Sequence, residues 1–197
     1  MRRTVPILVA LALAGCGGGA RQDADEPSGE FRVEIVDASF PRVQHIAGKV
    51  QLKLRVRNAD QQTLPTVAVT VQTTGRAAAD AQVAFGQQER GADLASAARP
   101  IWILNDGPKG GDTAYVNTWL AGALKAGETR ELTWNLVPSK AGTYTITYRV
   151  APGLTGRAQA AKGRTSGSFT VRIVDNPVPA RIGDNGRVER GAGGPDS

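Results

Sequence analysis

Beyond Phe31, hydrophobic and polar residues alternate along most of the chain. In 49–58, Val50, Leu52, Leu54 and Val56 are separated by Gln51, Lys53 and Arg55, and Arg57 follows. In 142–151, Tyr144, Ile146, Tyr148 and Val150 alternate with Thr143, Thr145, Thr147 and Arg149. In 168–175, Phe169, Val171 and Ile173 are separated by Thr170 and Arg172. A period of two places every second side chain on one face, so each segment predicts a strand with one buried and one wet face. Further strands are predicted at 31–39, 65–73, 100–104, 113–121 and 128–137. The Ala-rich stretch 76–98 has room for a helical turn, but Gly86 and Gly91 interrupt it. About eight short strands with turn signals between them argue for an antiparallel sandwich rather than βαβ units.

The N-terminus breaks the pattern. Arg2 and Arg3 precede an apolar run from Thr4 to Ala14, shorter than the roughly 20 residues a spanning helix needs. A positive start, an apolar middle and a small-residue end read as a secretory signal. Its end, Leu13-Ala14-Gly15-Cys16, resembles the lipobox of bacterial lipoproteins, whose signal is cut before the Cys and whose Cys is then acylated. The resemblance implies that 1–15 leave the mature chain. It also implies that Cys16 anchors it by lipid to the extracytoplasmic face of the cell membrane, or to an outer membrane where one exists. At about 0.8 kcal/mol per buried CH₂ one acyl chain holds only marginally, so stable anchoring takes two or three. Residues 16–30 continue through Gly17-Gly18-Gly19, Asp23, Asp25, Glu26 and Pro27 with almost no apolar content. Such a segment cannot offset its ordering entropy and predicts a flexible tether reaching on the order of 20 Å. The tail 176–197, rich in Gly, Pro and Arg, is expected to be disordered, apart from a turn that Asp184-Asn185-Gly186 could form.

Composition narrows the chemistry. With 197 residues, one domain over 31–175 plus accessory segments fits the length. There is one Cys, one His and one Met, which excludes an intrachain disulfide, Cys-based zinc, iron–sulfur and blue-copper sites, and two-His metal motifs. No metal and no cofactor is expected. The formal charge is +6, and loss of Arg2 and Arg3 with the signal lowers it by two, a mild excess for a membrane-proximal module.

Lys140-Ala141-Gly142-Thr143-Tyr144-Thr145-Ile146 resembles the Gly-x-Tyr-x-hydrophobe start of strand F in immunoglobulin-like domains. Tyr144 would be the corner tyrosine, and Ile146 would stand where those domains carry their second disulfide Cys. Upstream, Leu124-Lys125-Ala126-Gly127-Glu128-Thr129 leads into Leu132 and Trp134, and Val56-Arg57-Asn58 precedes Pro65-Thr66-Val67-Ala68-Val69. These segments are similar to bacterial CARDB-type modules, over roughly 31–74 and 120–175. The resemblance implies an all-β, immunoglobulin-like sandwich with strands A, B, C, E, F and G at 31–39, 49–58, 65–73, 128–137, 142–151 and 168–175. The stretch 75–119 would be a long insertion, with its strands 100–104 and 113–121 paired through an Asn105–Asp112 turn. Trp102, Trp119 and Trp134 are expected in the core or packed against the insertion, with carbohydrate stacking the alternative for Trp119.

No catalytic residue is assigned. His45 has no Gly-x-Ser-x-Gly elbow to serve and reads as a solvated or turn-bonding side chain. Asp106 and Asp112 could pair as glycosidase carboxylates, although Asn105–Asp112 also has the composition of an ordinary turn. Lys53, Arg55 and Arg57 project from one strand face, and the F–G loop 151–167 adds Arg157, Lys162 and Arg164. These six form the candidate binding surface for an anionic envelope polymer or another envelope protein. The competing reading is a solvated face that opposes edge aggregation. Nucleic acid is excluded by location and by the lack of interleaved aromatics. The B–C loop 59–64 shares an end with the F–G loop in such folds. The chain therefore reads as a non-enzymatic, membrane-anchored binding or scaffolding module, the alternative being a small wall hydrolase using carboxylates of the insertion.

Overall fold

The computed structural model describes residues 23, 25–74, 84–87, 100–176, 180–182 and 188–190. The signal motif Leu13-Ala14-Gly15, Cys16 and most of 76–98 lie outside the described residues. Those described form strands and turns, with no helix among them.

Two sheets face each other. One consists of β2 (Val33–Ser39), β4 (Val50–Asn58), β10 (Thr129–Pro138), β7 (Trp102–Lys109) and β6 (Gly86–Gln87), in that spatial order. The other runs β3 (Val43–His45), β13 (Ser166–Val174), β11 (Gly142–Ala151), β5 (Leu64–Thr74), β9 (Thr118–Leu124) and β8 (Asp112–Tyr115). Strands expected as A, B and E thus share one sheet and C, F and G the other, which is the immunoglobulin-like arrangement. The alternating residues meet between the sheets. Leu52, Leu54, Val56, Leu132, Trp134 and Leu136 from the first pack against Val67, Val69, Val71, Ile146, Val171 and Ile173 from the second, all buried.

Local chemistry accounts for the ends of these strands. Tyr144 donates its hydroxyl hydrogen to the Ala141 carbonyl at 2.8 Å, closing the E–F corner. Gly142 sits under that ring at φ 143°, and a Cβ there would lie 2.8 Å from the Tyr144 oxygen. Tyr144→Phe is expected to lose about 1 kcal/mol, read as a lower urea midpoint at unchanged slope. Asn58, fully buried, donates to the carbonyls of Gln62 (2.8 Å) and Leu124 (2.9 Å) and accepts the Asp60 N–H at 2.9 Å. It thereby ties the B–C loop to the β9–β10 turn. In that turn Gly127 takes φ 74°, and the Glu128 carboxylate accepts the Lys125 N–H at 2.8 Å.

The stretch 100–119 departs from expectation. Its strands do not pair with each other through an Asn105–Asp112 turn. Trp102–Lys109 is one strand that pairs with β10 across bulges, while β9 pairs with β5 in the other sheet. Beyond Leu104 no strand among those described covers the outer edge of β7, so the missing N–H of Pro108 costs no ladder bond there. The chain passes between sheets at Gly110-Gly111, where added Cβ atoms would lie 2.2 Å from the Glu131 carbonyl and 2.4 Å from the Leu120 carbonyl. The segment expected at 113–121 is broken by a turn in which Asn117 adopts φ 66°, a conformation Asn tolerates better than most residues. In the tail read as disordered, β14 (Ala180–Ile182) pairs antiparallel with β15 (Val188–Arg190).

Candidate functional site

The end of the sandwich that carries the B–C and F–G loops is occupied by the chain's own N-terminal segment. β1 (Gly29–Phe31) pairs in parallel with β12 (Ala158–Ala160) inside the F–G loop. Ahead of it, Glu26 is 4% exposed. Its carboxylate accepts the N–H groups of Leu154 (2.7 Å), Thr155 (2.9 Å) and Ala158 (3.2 Å) and the Thr155 hydroxyl at 2.8 Å. Burial alone would raise this carboxyl. The hydrogen bonds from Thr155, Ala158 and Leu154 outweigh it and lower the pKa from 4.5 to about 2. Gly153 leaves the space required, since a Cβ there would lie 2.3 Å from the carboxyl carbon. Arg157 completes the clamp by donating to the Asp23 carbonyl at 2.8 Å. The tether expected to be flexible as far as residue 30 is therefore docked at Asp23 and from Asp25 onward. Four donors and a short ladder supply what the segment's lack of apolar surface could not.

Among the expected binding residues, Lys162 and Arg164 are exposed on the F–G loop, and Arg157 is engaged with the docked segment. Ile35 donates its N–H to the Arg164 carbonyl at 2.7 Å, which holds the loop against β2. Lys53, Arg55 and Arg57 do share the outer face of β4, but the flanking strands balance two of them. Arg57 lies opposite Glu34, with their charged groups 3.6 Å apart, and Arg55 lies between Asp37 of β2 and Glu131 of β10. Cross-strand pairing of opposite charge stabilises a solvated sheet face and weakens its pull on a polyanion.

The other candidates have structural settings. His45 Nδ1 lies 2.8 Å from the Asn176 carbonyl, where the chain leaves β13. Trp119 is 4% exposed and packs against Phe85 and edge-on against Trp134, so it belongs to the core and not to a stacking surface. Trp102 donates to Gln44 Oε1 at 2.7 Å. Asp106 lies in register with Asn135 on the first sheet, whereas Asp112 is exposed at the start of β8 on the second. The Asp106 side chain lies outside the described residues. The sequence does not reveal the role of Glu26, because one Glu in a polar run carries no signal of burial.

No protein-family model matches the chain, and no curated protein matches it significantly. Among solved structures, it is similar to the CARDB domain of a Pyrococcus furiosus protein in complex with di-metal ions. The two share 18% identity at a TM-score of 0.45, over 76% of this chain and 99% of that one. It is also similar to a PapD-like domain of human CEP192, at 10% identity and a TM-score of 0.40, covering 86% of this chain and 99% of that one. A cohesin module from Clostridium perfringens gives 10% identity and a TM-score of 0.43, covering 74% and 98%. The immunoglobulin-like assignment rests on this chain's own strand order. Among the described residues here, no group of three or more His, Cys, Asp and Glu side chains could hold a metal ion.

Proposed function

We propose that this chain is an exported lipoprotein, acylated on Cys16, that displays its sandwich as a non-enzymatic binding or scaffolding module close to a membrane of the cell envelope. The observation that carries the reading is the sequence Arg2-Arg3, apolar run, Leu13-Ala14-Gly15-Cys16, in which the chain's only Cys falls at the position acylation requires. The docked segment adds a consequence. Cys16 is seven residues from Asp23 in sequence, a span of at most about 25 Å. The end bearing the B–C and F–G loops would then face the lipid, leaving the sheet faces and the E–F end for a partner. Such a partner would be an anionic envelope polymer or another envelope protein.

Cys16→Ala is expected to abolish metabolic acyl labelling and to shift the protein from the membrane fraction to the soluble one. Undiminished retention of the variant would refute the anchor.

A further inference from the structure

Carboxylates of the flanking strands balance two of the three cations expected on β4, whereas on the opposite outer face Arg149 has no such partner among the described residues. The central strands β5, β9, β11 and β13 contain no Asp or Glu, and the one carboxylate on the strands of this sheet is Asp112, at the start of edge strand β8. Across that face the register aligns four side chains from four strands. Tyr115 lies opposite Thr118, Thr118 opposite Thr70, and Thr70 opposite Arg149. At about 4.8 Å per strand the row spans roughly 14 Å, too long for a single small ion and suited to a short oligomer. It lines a groove of about 560 Å³, one wall of which is the F–G loop, with Gln159 of β12 in that wall.

Each member brings a distinct recognition chemistry. The Thr70 and Thr118 hydroxyls are 3.1 Å apart, and each keeps further hydrogen-bonding capacity. The Tyr115 side chain is 57% exposed, although burial of a ring that size would be favourable. Arg149 is exposed and, among the described residues, has no ion-pair partner. A guanidinium in this state can take a carboxylate or phosphate bidentately. The floor is small and apolar, formed by Ala68 and Ala151. The docked N-terminal segment holds β12 in place and so fixes the loop that walls the groove.

We propose that this groove binds an anionic glycan segment. The Tyr115 ring stacks on a sugar face, the two threonines and Gln159 bond sugar hydroxyls, and Arg149 pairs with the acidic group. This deepens the binding-module reading and rests on it. The acidic group in this proposal is a sugar carboxylate, and the test separates it from free phosphate, which a guanidinium also takes.

The full-length protein is titrated calorimetrically with trigalacturonate, with the same trisaccharide carboxyl-reduced to its neutral form, and with inorganic phosphate. The expected result is binding of trigalacturonate in preference to the neutral trisaccharide. Arg149→Gln should weaken that binding about tenfold, the effect of one lost charge-assisted hydrogen bond, and bring it level with the neutral ligand. Tyr115→Ala should weaken both trisaccharides, while Lys49→Gln, an exposed position just ahead of β4 on the other sheet, should change neither. Unaltered urea midpoints establish that the variants fold. If trigalacturonate binds undiminished in both groove variants, the groove assignment fails and the binding-module reading stands. If phosphate binds and neither trisaccharide does, or if nothing binds, the glycan assignment fails, while acylation of Cys16 keeps its own independent test.

Discussion

Glu26→Gln is expected to cost about 3 kcal/mol at neutral pH and to remove this carboxyl's share of the stability change between pH 5 and pH 2. The native carboxyl is lowered from 4.5 to about 2, so the unfolded chain takes up a proton before the folded one. Its contribution is complete above pH 4.5, declines as the pH falls towards 2, and is absent below. Glutamine has no charge to lose, and its amide NH₂ would face groups that are themselves donors, the N–H groups of Leu154, Thr155 and Ala158. Urea unfolding of both proteins at several pH values should show curves that differ at pH 7 and converge near pH 2. Amide exchange at Leu154 and Thr155 reads the same contact locally and should accelerate in the variant. Parallel curves with a constant offset would mean that the carboxylate is not what holds the segment.

Asn58→Ala is expected to destabilise the domain by a similar amount, about 3 kcal/mol, because it leaves the Gln62 and Leu124 carbonyls and the Asp60 N–H without their buried partner. Asn58→Asp should be worse than alanine. It keeps the shape but turns a donor towards two carbonyls into a buried acceptor carrying charge. Chemical denaturation of the three proteins should rank wild type as most stable, then Asn58→Ala, then Asn58→Asp. An Asn58→Asp variant as stable as wild type would contradict the network. The same loop holds a second carboxylate: N–H groups of Arg32 and Gln61 keep the Asp60 carboxyl below its usual range, so the B–C loop is set by backbone donors as well as by Asn58.

Strands whose two faces meet different surroundings were legible from alternation alone. The segment expected at 142–151 is the strand found there, and the Gly-Thr-Tyr motif located the corner because the ring, the glycine and the Ala141 carbonyl are local to one turn. Pairing was not legible where turn residues sit inside a strand. Asn105, Asp106, Gly107 and Pro108 lie in β7 because that strand is bulged and its outer edge is largely uncovered, so the usual penalties for Pro and Gly are small. The segment at 31–39 divides at Arg32, whose carbonyl accepts the Ala59 N–H, leaving Gly29–Phe31 to join the F–G loop. The docking of Glu26 depends on donors more than a hundred residues away, and no local pattern marks it. For the candidate binding surface, alternation placed Lys53, Arg55 and Arg57 on one face correctly. Which carboxylates face them, and which hydroxyls line up beside Arg149, is a matter of strand register, which periodicity within one strand does not contain.

Acylation of Cys16, as we propose it, would tether the domain from the end bearing the B–C and F–G loops. The test is fluorescence quenching of the acylated protein in bilayers by spin-labelled lipid headgroups. A probe is attached either at Gln62→Cys in the B–C loop or at Ser139→Cys at the E–F corner. These sites lie at opposite ends of β4 and β10, about 30 Å apart for nine residues of strand. Stronger quenching at position 62 than at position 139 is the predicted result. Equal quenching at both, or stronger quenching at 139, would contradict it.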